Sequence, residues 1–233
     1  MQHLITGTIR GSIAEEIGIR AGDVLLKING CDIIDVVDYQ YLEAEEFVDL
    51  LVSRDGQETE YEIEKDSYEP LGLCFETQIM SPLRSCSNKC MFCFVDQLPE
   101  NARDSMRFKD DDWRMSFLMG NYVTLTNVGD RELARIIERK VSPLYISVHA
   151  TEPEVREKLI GNPRAGKIME QLNALAKAGL YFNTQIVACP GINDGLVLDK
   201  SISELAELFP YCKTLSVVPV GLTQFRGGLS EIQ

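Results

Sequence analysis

The 233-residue chain lacks any apolar run long enough to span a bilayer, which excludes a membrane-spanning helix. Its opening stretch, MQHLITGTIRGS, lacks the basic segment and following apolar segment of a secretory signal, so a cytoplasmic protein is expected. No low-complexity segment interrupts it. A disulfide framework is also disfavoured: seven cysteines is an odd number, and three are crowded together, which in a cytosolic protein reads as metal binding. Beside that trio there is no second cysteine pair, and His149 is remote in sequence. Structural zinc takes four ligands, so a zinc-binding protein is the weaker reading.

Positive charge is scarce at one end. Residues 1–75 hold 17 acidic and 5 basic side chains, against 19 and 18 in residues 76–233. The first third is therefore a separate acidic module, and the bland reading of its charge is a solvated surface. An acidic face repels nucleic-acid backbone and anionic lipid, so neither is an expected partner.

Within that module, SIAEEIGI has a short helical pattern, Ala21-Gly22-Asp23 a turn, and Val24 to Ile28 a strand; Asn29-Gly30 is a hairpin turn signal. From about residue 70 the pattern changes. LGLCFETQIM reads as a strand and residues 81–98 as a cysteine loop. Further strands are expected at 122–126, 144–149, 181–188 and 214–220. Helices are expected at 130–140, 153–160, 167–178 and 198–208. Strands alternating with helices of this length predict parallel βα units.

The most informative run is CSNKCMFCF, which places Cys86, Cys90 and Cys93 at C-x3-C-x2-C spacing. Three thiolates can hold three irons of a 4Fe–4S cluster and leave the fourth open, whereas electron-transfer clusters use four cysteines. Strand alternation puts Thr124 with Thr126, Ser147 with His149, and Asn183 with Gln185 on polar faces opposite apolar ones. A βα barrel normally fills its interior with branched apolar side chains, so polar residues there predict a ligand-holding interior. Active sites of such barrels lie at the C-terminal strand ends, where Thr126, Ser147, His149 and the cysteine loop converge.

Two resemblances follow from these residues. The run GSIAEEIGIRAGDVLLKINGCDI resembles a PDZ domain. The stretches CSNKCMFCFVDQLP, KDDDWRMSFLMGNYVTLTN, SPLYISVHATEPEVREKLIGN, QIVACPGINDG and SVVPVGLT resemble the radical S-adenosylmethionine (SAM) superfamily. They are most similar to a bacterial family of Fe–S oxidoreductases with an N-terminal PDZ-like domain, a radical SAM core and a further C-terminal domain. The fold this implies is α/β: a PDZ-like β-rich module over 1–68, then a partial parallel βα barrel over 69–233. The resemblance implies a 4Fe–4S cluster on Cys86, Cys90 and Cys93, and SAM contacts from Phe92, Thr126, Ser147, His149 and Gln185. It implies cleavage of SAM to a 5′-deoxyadenosyl radical acting on an unknown substrate, with an external electron donor. A Gly-Gly-Glu-like motif that many members carry at the second-strand end is absent from Thr124 to Asn127. The PDZ resemblance implies a peptide or protein C-terminus as partner. Asp110, Asp111, Asp112 and Arg114 match a family run without an assigned role.

Two alternatives stay open: a non-catalytic metal-binding protein, or a PDZ-type adaptor with a degenerate second domain. Five strands are readable where a sixth unit is implied, so a fragment with an unfinished barrel and an uncovered last strand is expected.

Overall fold

A computed structural model describes residues 2–232, which divide into two compact units meeting at Leu83 and Arg84. Among these residues no helix is long and apolar enough to cross a membrane.

The first unit is an antiparallel sheet. Its strands are β1 (His3–Thr8), β2 (Val24–Ile28), β3 (Cys31–Asp32), β4 (Phe47–Arg54), β5 (Gln57–Glu64) and β6 (Leu73–Phe75), with helices α1 (Ile13–Glu16) and α2 (Val36–Glu43). The order is β5-β4-β2-β1-β6, with β3 beside β2. Period-two alternation drives burial: Val48, Leu50 and Val52 of β4 point inward. Edge strand β5 carries Glu58, Glu60, Glu62 and Glu64, charges that discourage pairing with another chain. The Asn29-Gly30 hairpin forms as expected, with positive φ at both residues, and Asp55-Gly56 makes the same kind of turn between β4 and β5. Ser12 caps α1 by accepting from Glu15 N, and the Glu15 carboxylate accepts from Gly11 N. Arg54 clamps Asp23 with two bonds of 2.6 and 2.7 Å, fixing the turn ahead of β2.

The run expected to open the parallel series behaves differently. Only Leu73–Phe75 of LGLCFETQIM is strand, and it pairs antiparallel with β1 inside the first unit. A short apolar run takes whichever sheet edge is open to it, and here that edge is β1.

The second unit holds the cysteine loop and the helices α3 (Trp113–Met119), α4 (Asp130–Glu138), α5 (Pro153–Ile160), α6 (Ile168–Lys177) and α7 (Gly195–Ala206). Strands β7 (Leu144–Ser147), β8 (Phe182–Ala188) and β9 (Cys212–Pro219) form a parallel sheet in that order. The strand expected at 122–126 is reduced to one parallel bridge, Val123 to Ile146, because Leu125 turns to a φ of 60° and ends the extended run. One face of the sheet presents Leu144, Ile146, Phe182, Thr184 and Ile186, all buried. The other presents Tyr145, Ser147, Asn183, Gln185 and Ser216, mostly half-buried and polar.

Candidate functional site

The cysteine loop is held from three directions. Its start is pinned to residues 109–112: Cys86 N donates to Lys109 O at 2.8 Å, and Arg84 N to the Asp112 carboxylate at 3.1 Å. Its middle sits on the end of α5, where Lys89 N donates to Ile160 O and Met91 N to Leu159 O. These are carbonyls that a helix end leaves without intrahelical partners. Gly161 then turns away at a φ of +64°, and a Cβ there would lie 2.6 Å from Lys89 O. Its far end is gathered by Gln97, whose amide donates to Phe92 O and Cys93 O.

The DDD-x-R run divides its labour. Asp112 caps α3 and receives Arg114 through Nε and Nη2, at 2.8 and 2.5 Å. Burial would raise its carboxyl, but the Arg114 guanidinium overrides this and holds it below the usual range. Asp110 accepts from Asn121, and its backbone bridges Ser85. Asp111 is buried in a polar hub. It accepts from Thr124 N at 2.6 Å and Thr124 Oγ1 at 2.5 Å, yet burial still pushes its carboxyl up.

Cys86, Cys90 and Cys93 are all half-buried thiols. Burial pushes Cys90 up to about 12, reinforced by the neighbouring Cys86 and Cys93 sulfurs. The Cys90 thiol therefore stays protonated at neutral pH unless a metal displaces the proton. Among the described residues no three His, Cys, Asp or Glu side chains converge on one metal-ion position. A 4Fe–4S cluster makes a different demand, because each thiolate reaches its own iron. Three thiols that feel one another within one loop suit that donor set.

Phe92 packs on His149 with ring centroids 4.5 Å apart. Val187 N donates to His149 Nδ1 at 3.2 Å, which leaves the proton of the neutral ring on Nε2. Burial first, and then Arg156, depress its pKa to about 3, so the ring is neutral at physiological pH. Ser147, Gln185 and Ser216 are in register across the three strands. No other described residue hydrogen-bonds the Ser147 hydroxyl or the Gln185 amide, which leaves both available to a ligand. Thr126 differs from the other expected contacts: its hydroxyl is engaged by Asn88 at 2.9 Å, within the hub.

Several residues went unnoticed in the sequence. Arg156, wholly buried, donates to the carbonyls of Val148, Ala165, Thr124 and Ser147 and ties the strand ends together. Asn193 spans His149 O, Val187 O and Cys189 N. Spacing gives no signal for either; a charged residue on the inward side of α5 would have been the one hint.

Comparison with known families agrees with the layout. A model of the radical SAM-like domain matches residues 65–215, preceded by a PDZ domain model over residues 4–64. The chain belongs to the radical SAM-like family. No curated protein matches it.

Proposed function

We propose that the protein is a radical SAM enzyme whose Cys86, Cys90 and Cys93 hold a 4Fe–4S cluster, with SAM lying on the polar face of the parallel sheet. The observation that supports this reading is that Phe92 of the cysteine loop packs on His149, just past the end of β7, on whose sheet the Ser147 and Gln185 side chains stay unengaged. When bound, the cluster and SAM supply one-electron cleavage to a 5′-deoxyadenosyl radical, which abstracts hydrogen from a substrate. The chain's own residues bind and orient. Phe92 and His149 form an aromatic wall, and His149 offers its Nε2–H as a donor. Ser147 and Gln185 offer a hydroxyl and an amide from adjacent strands. Arg156 is a fixed cation under the strand ends, where burial lowers its pKa to about 9 and Asp111 and Cys90 oppose the fall.

In this reading the parallel sheet is part of a βα barrel, the electron comes from an external donor, and the enzyme works in the reducing cytoplasm, where its seven free cysteines are stable. The test is anaerobic reconstitution with iron and sulfide, then assay for 5′-deoxyadenosine from SAM and dithionite. Iron and sulfide on the chain with SAM-dependent product support it; zinc in place of iron, or a loaded cluster that never cleaves SAM, sinks it.

A second reading concerns the PDZ module. β6 is a sheet edge, where an extended peptide can add as a strand. Glu43 Oε2 now takes the Leu71 N–H just ahead of that edge. A peptide carboxylate arriving there must displace Glu43, so Glu43→Ala should tighten binding of C-terminal peptides in a fluorescence assay. Unchanged binding argues against this location.

A further inference from the structure

Residues 221–232 follow β9 and fold back against the cysteine loop. Val220 N donates to Ala188 O, which fixes where this strap departs. Thr223 then grips Gln97 twice: its N–H donates to Gln97 Oε1 at 3.1 Å and its hydroxyl to Gln97 O at 3.0 Å. The Arg226 guanidinium donates through Nη2 to Met91 O at 3.1 Å. Beyond the Gly227-Gly228 turn, Ile232 packs against the buried cluster of Met91, Leu159 and Cys189.

Gln97 joins strap and loop. It is 2% exposed, and its amide nitrogen, which carries two hydrogens, faces three carbonyls at 3.3 Å. Phe92 O and Cys93 O belong to the loop, and Gly221 O belongs to the strap. The backbone from Met91 to Gln97, which carries Cys93, is therefore bonded to the strap at both of its ends.

The strap itself is lightly held. Only Arg226, Leu229 and Ile232 of it are not exposed. Arg226 Nη1 is buried with no hydrogen-bond partner among the described residues. A buried charged donor left unpaired opposes the closed position. Few buried apolar contacts and an unmet donor mark a segment that opens locally, without global unfolding.

We propose that residues 221–232 are a strap that locks the Met91–Gln97 part of the cysteine loop, and that its local release frees the loop and admits reagents to the Cys90 and Cys93 thiols. Closed, the strap fixes the spacing of these thiols; open, it lets the loop rearrange as a metal centre enters. The lock belongs to the chain before any cluster is bound, so it stands apart from the cluster reading.

The experiment uses the full chain, reduced and without added iron or sulfide, as wild type, Thr223→Val and Ile232→Ala. Amide exchange and the maleimide labelling rate of each cysteine are read by mass spectrometry. Thr223→Val loses the hydroxyl that bonds Gln97 O. It is expected to speed exchange in 221–232 and 91–97, and labelling of Cys90 and Cys93, by about fivefold, the factor for one hydrogen bond of ordinary net strength. Ile232→Ala removes the far anchor and should shift the same readouts in the same direction. Cys31, exposed in the first unit, should keep its rate in both. Faster exchange in the strap with wild-type rates in 91–97 and at both thiols makes the strap a passenger and overturns the proposal. Wild-type exchange in the strap of both variants overturns it too, because these contacts then do not hold it. Acceleration of Cys31 along with the others means general loosening and also overturns it. Should one variant not fold, the other decides.

Discussion

The two units bury polar groups for different ends. In the first, most of the buried carboxylates close a turn or cap: Asp23 holds a turn through Arg54, and Asp35 caps α2 by accepting from Val37 N. Remove them and the apolar sheet core of Ile5, Leu25, Leu50 and Val52 is still there. In the second, the buried polar groups Asn88, Asp111, Arg156 and Asn193 gather at the strand ends and knit together segments distant in sequence. Burying charge stabilises a fold poorly, because desolvation offsets most of the attraction. Its concentration beside the cysteine loop is what a site needs when ligands must be held in fixed geometry.

The contrast can be broken most directly at the thiols. Replacing any one of Cys86, Cys90 or Cys93 by Ala should abolish the brown absorbance of the reconstituted protein while urea unfolding of the first unit stays as it was. Iron and sulfide content unchanged in all three single variants would falsify the ligand assignment.

Next in size is Arg156→Met, which removes a donor from four buried carbonyls, of which Val148 O keeps the Ala150 N–H. We expect about 3–5 kcal/mol of destabilisation, the usual cost of removing one partner from a buried charged network. Hydrogen exchange should place the loss in residues 84–232 alone. Protection lost equally in both units would refute the division drawn here.

Gly161→Ala tests the loop seat. A side chain at a φ of +64°, 2.6 Å from Lys89 O, must push the cysteine loop off α5. About 1–3 kcal/mol of stability should be lost, in the range of strained backbone positions, together with slower cluster uptake. Normal uptake kinetics would mean that the α5 contact does not position the cysteines.

Ser147→Ala and Gln185→Ala should each weaken SAM binding to the reconstituted protein by about fivefold, roughly 1 kcal/mol per lost hydrogen bond. Because neither side chain bonds the protein, folding stability should stay within about 0.5 kcal/mol. Calorimetry giving wild-type affinity in both variants would remove SAM from the polar face.

The smallest effect belongs to the first unit. The Arg54 guanidinium holds the Asp23 carboxyl below its ordinary range. A carboxyl depressed on folding contributes stability above its unfolded pKa, near 3.8, and that contribution fades as pH falls through the lower folded value. Acid unfolding of this unit should therefore flatten in Asp23→Asn. An identical profile in wild type and variant would show that the clamp contributes nothing to acid stability.

Local patterns were legible where one periodicity or one turn chemistry governed. The expected helix at 153–160 is α5, and the expected strand at 181–188 is β8 within one residue. The polar face of the parallel sheet could be read from alternation, since Ser147, Asn183 and Gln185 each sit opposite buried apolar neighbours. Partner choice was not legible. LGLCF has the same pattern whether it opens a parallel series or closes an antiparallel sheet, and it does the latter. Thr126 and Ser147 looked alike as strand-end hydroxyls; contact with Asn88 engages one and leaves the other available.

By itself the sequence determined the cysteine spacing, the acidic first module and the βα rhythm of the second, because each rests on residues close together in the chain. Only the tertiary structure decided that β6 belongs to the first unit and that Gly161 makes room for Lys89. It also decided that Arg156 lies beneath the strand ends and that Asn88 meets Asp111, Thr126 and Asn162. Those contacts join residues 23 to 74 positions apart. No local propensity encodes them; they arise when buried polar groups must find partners and the folded chain offers only these.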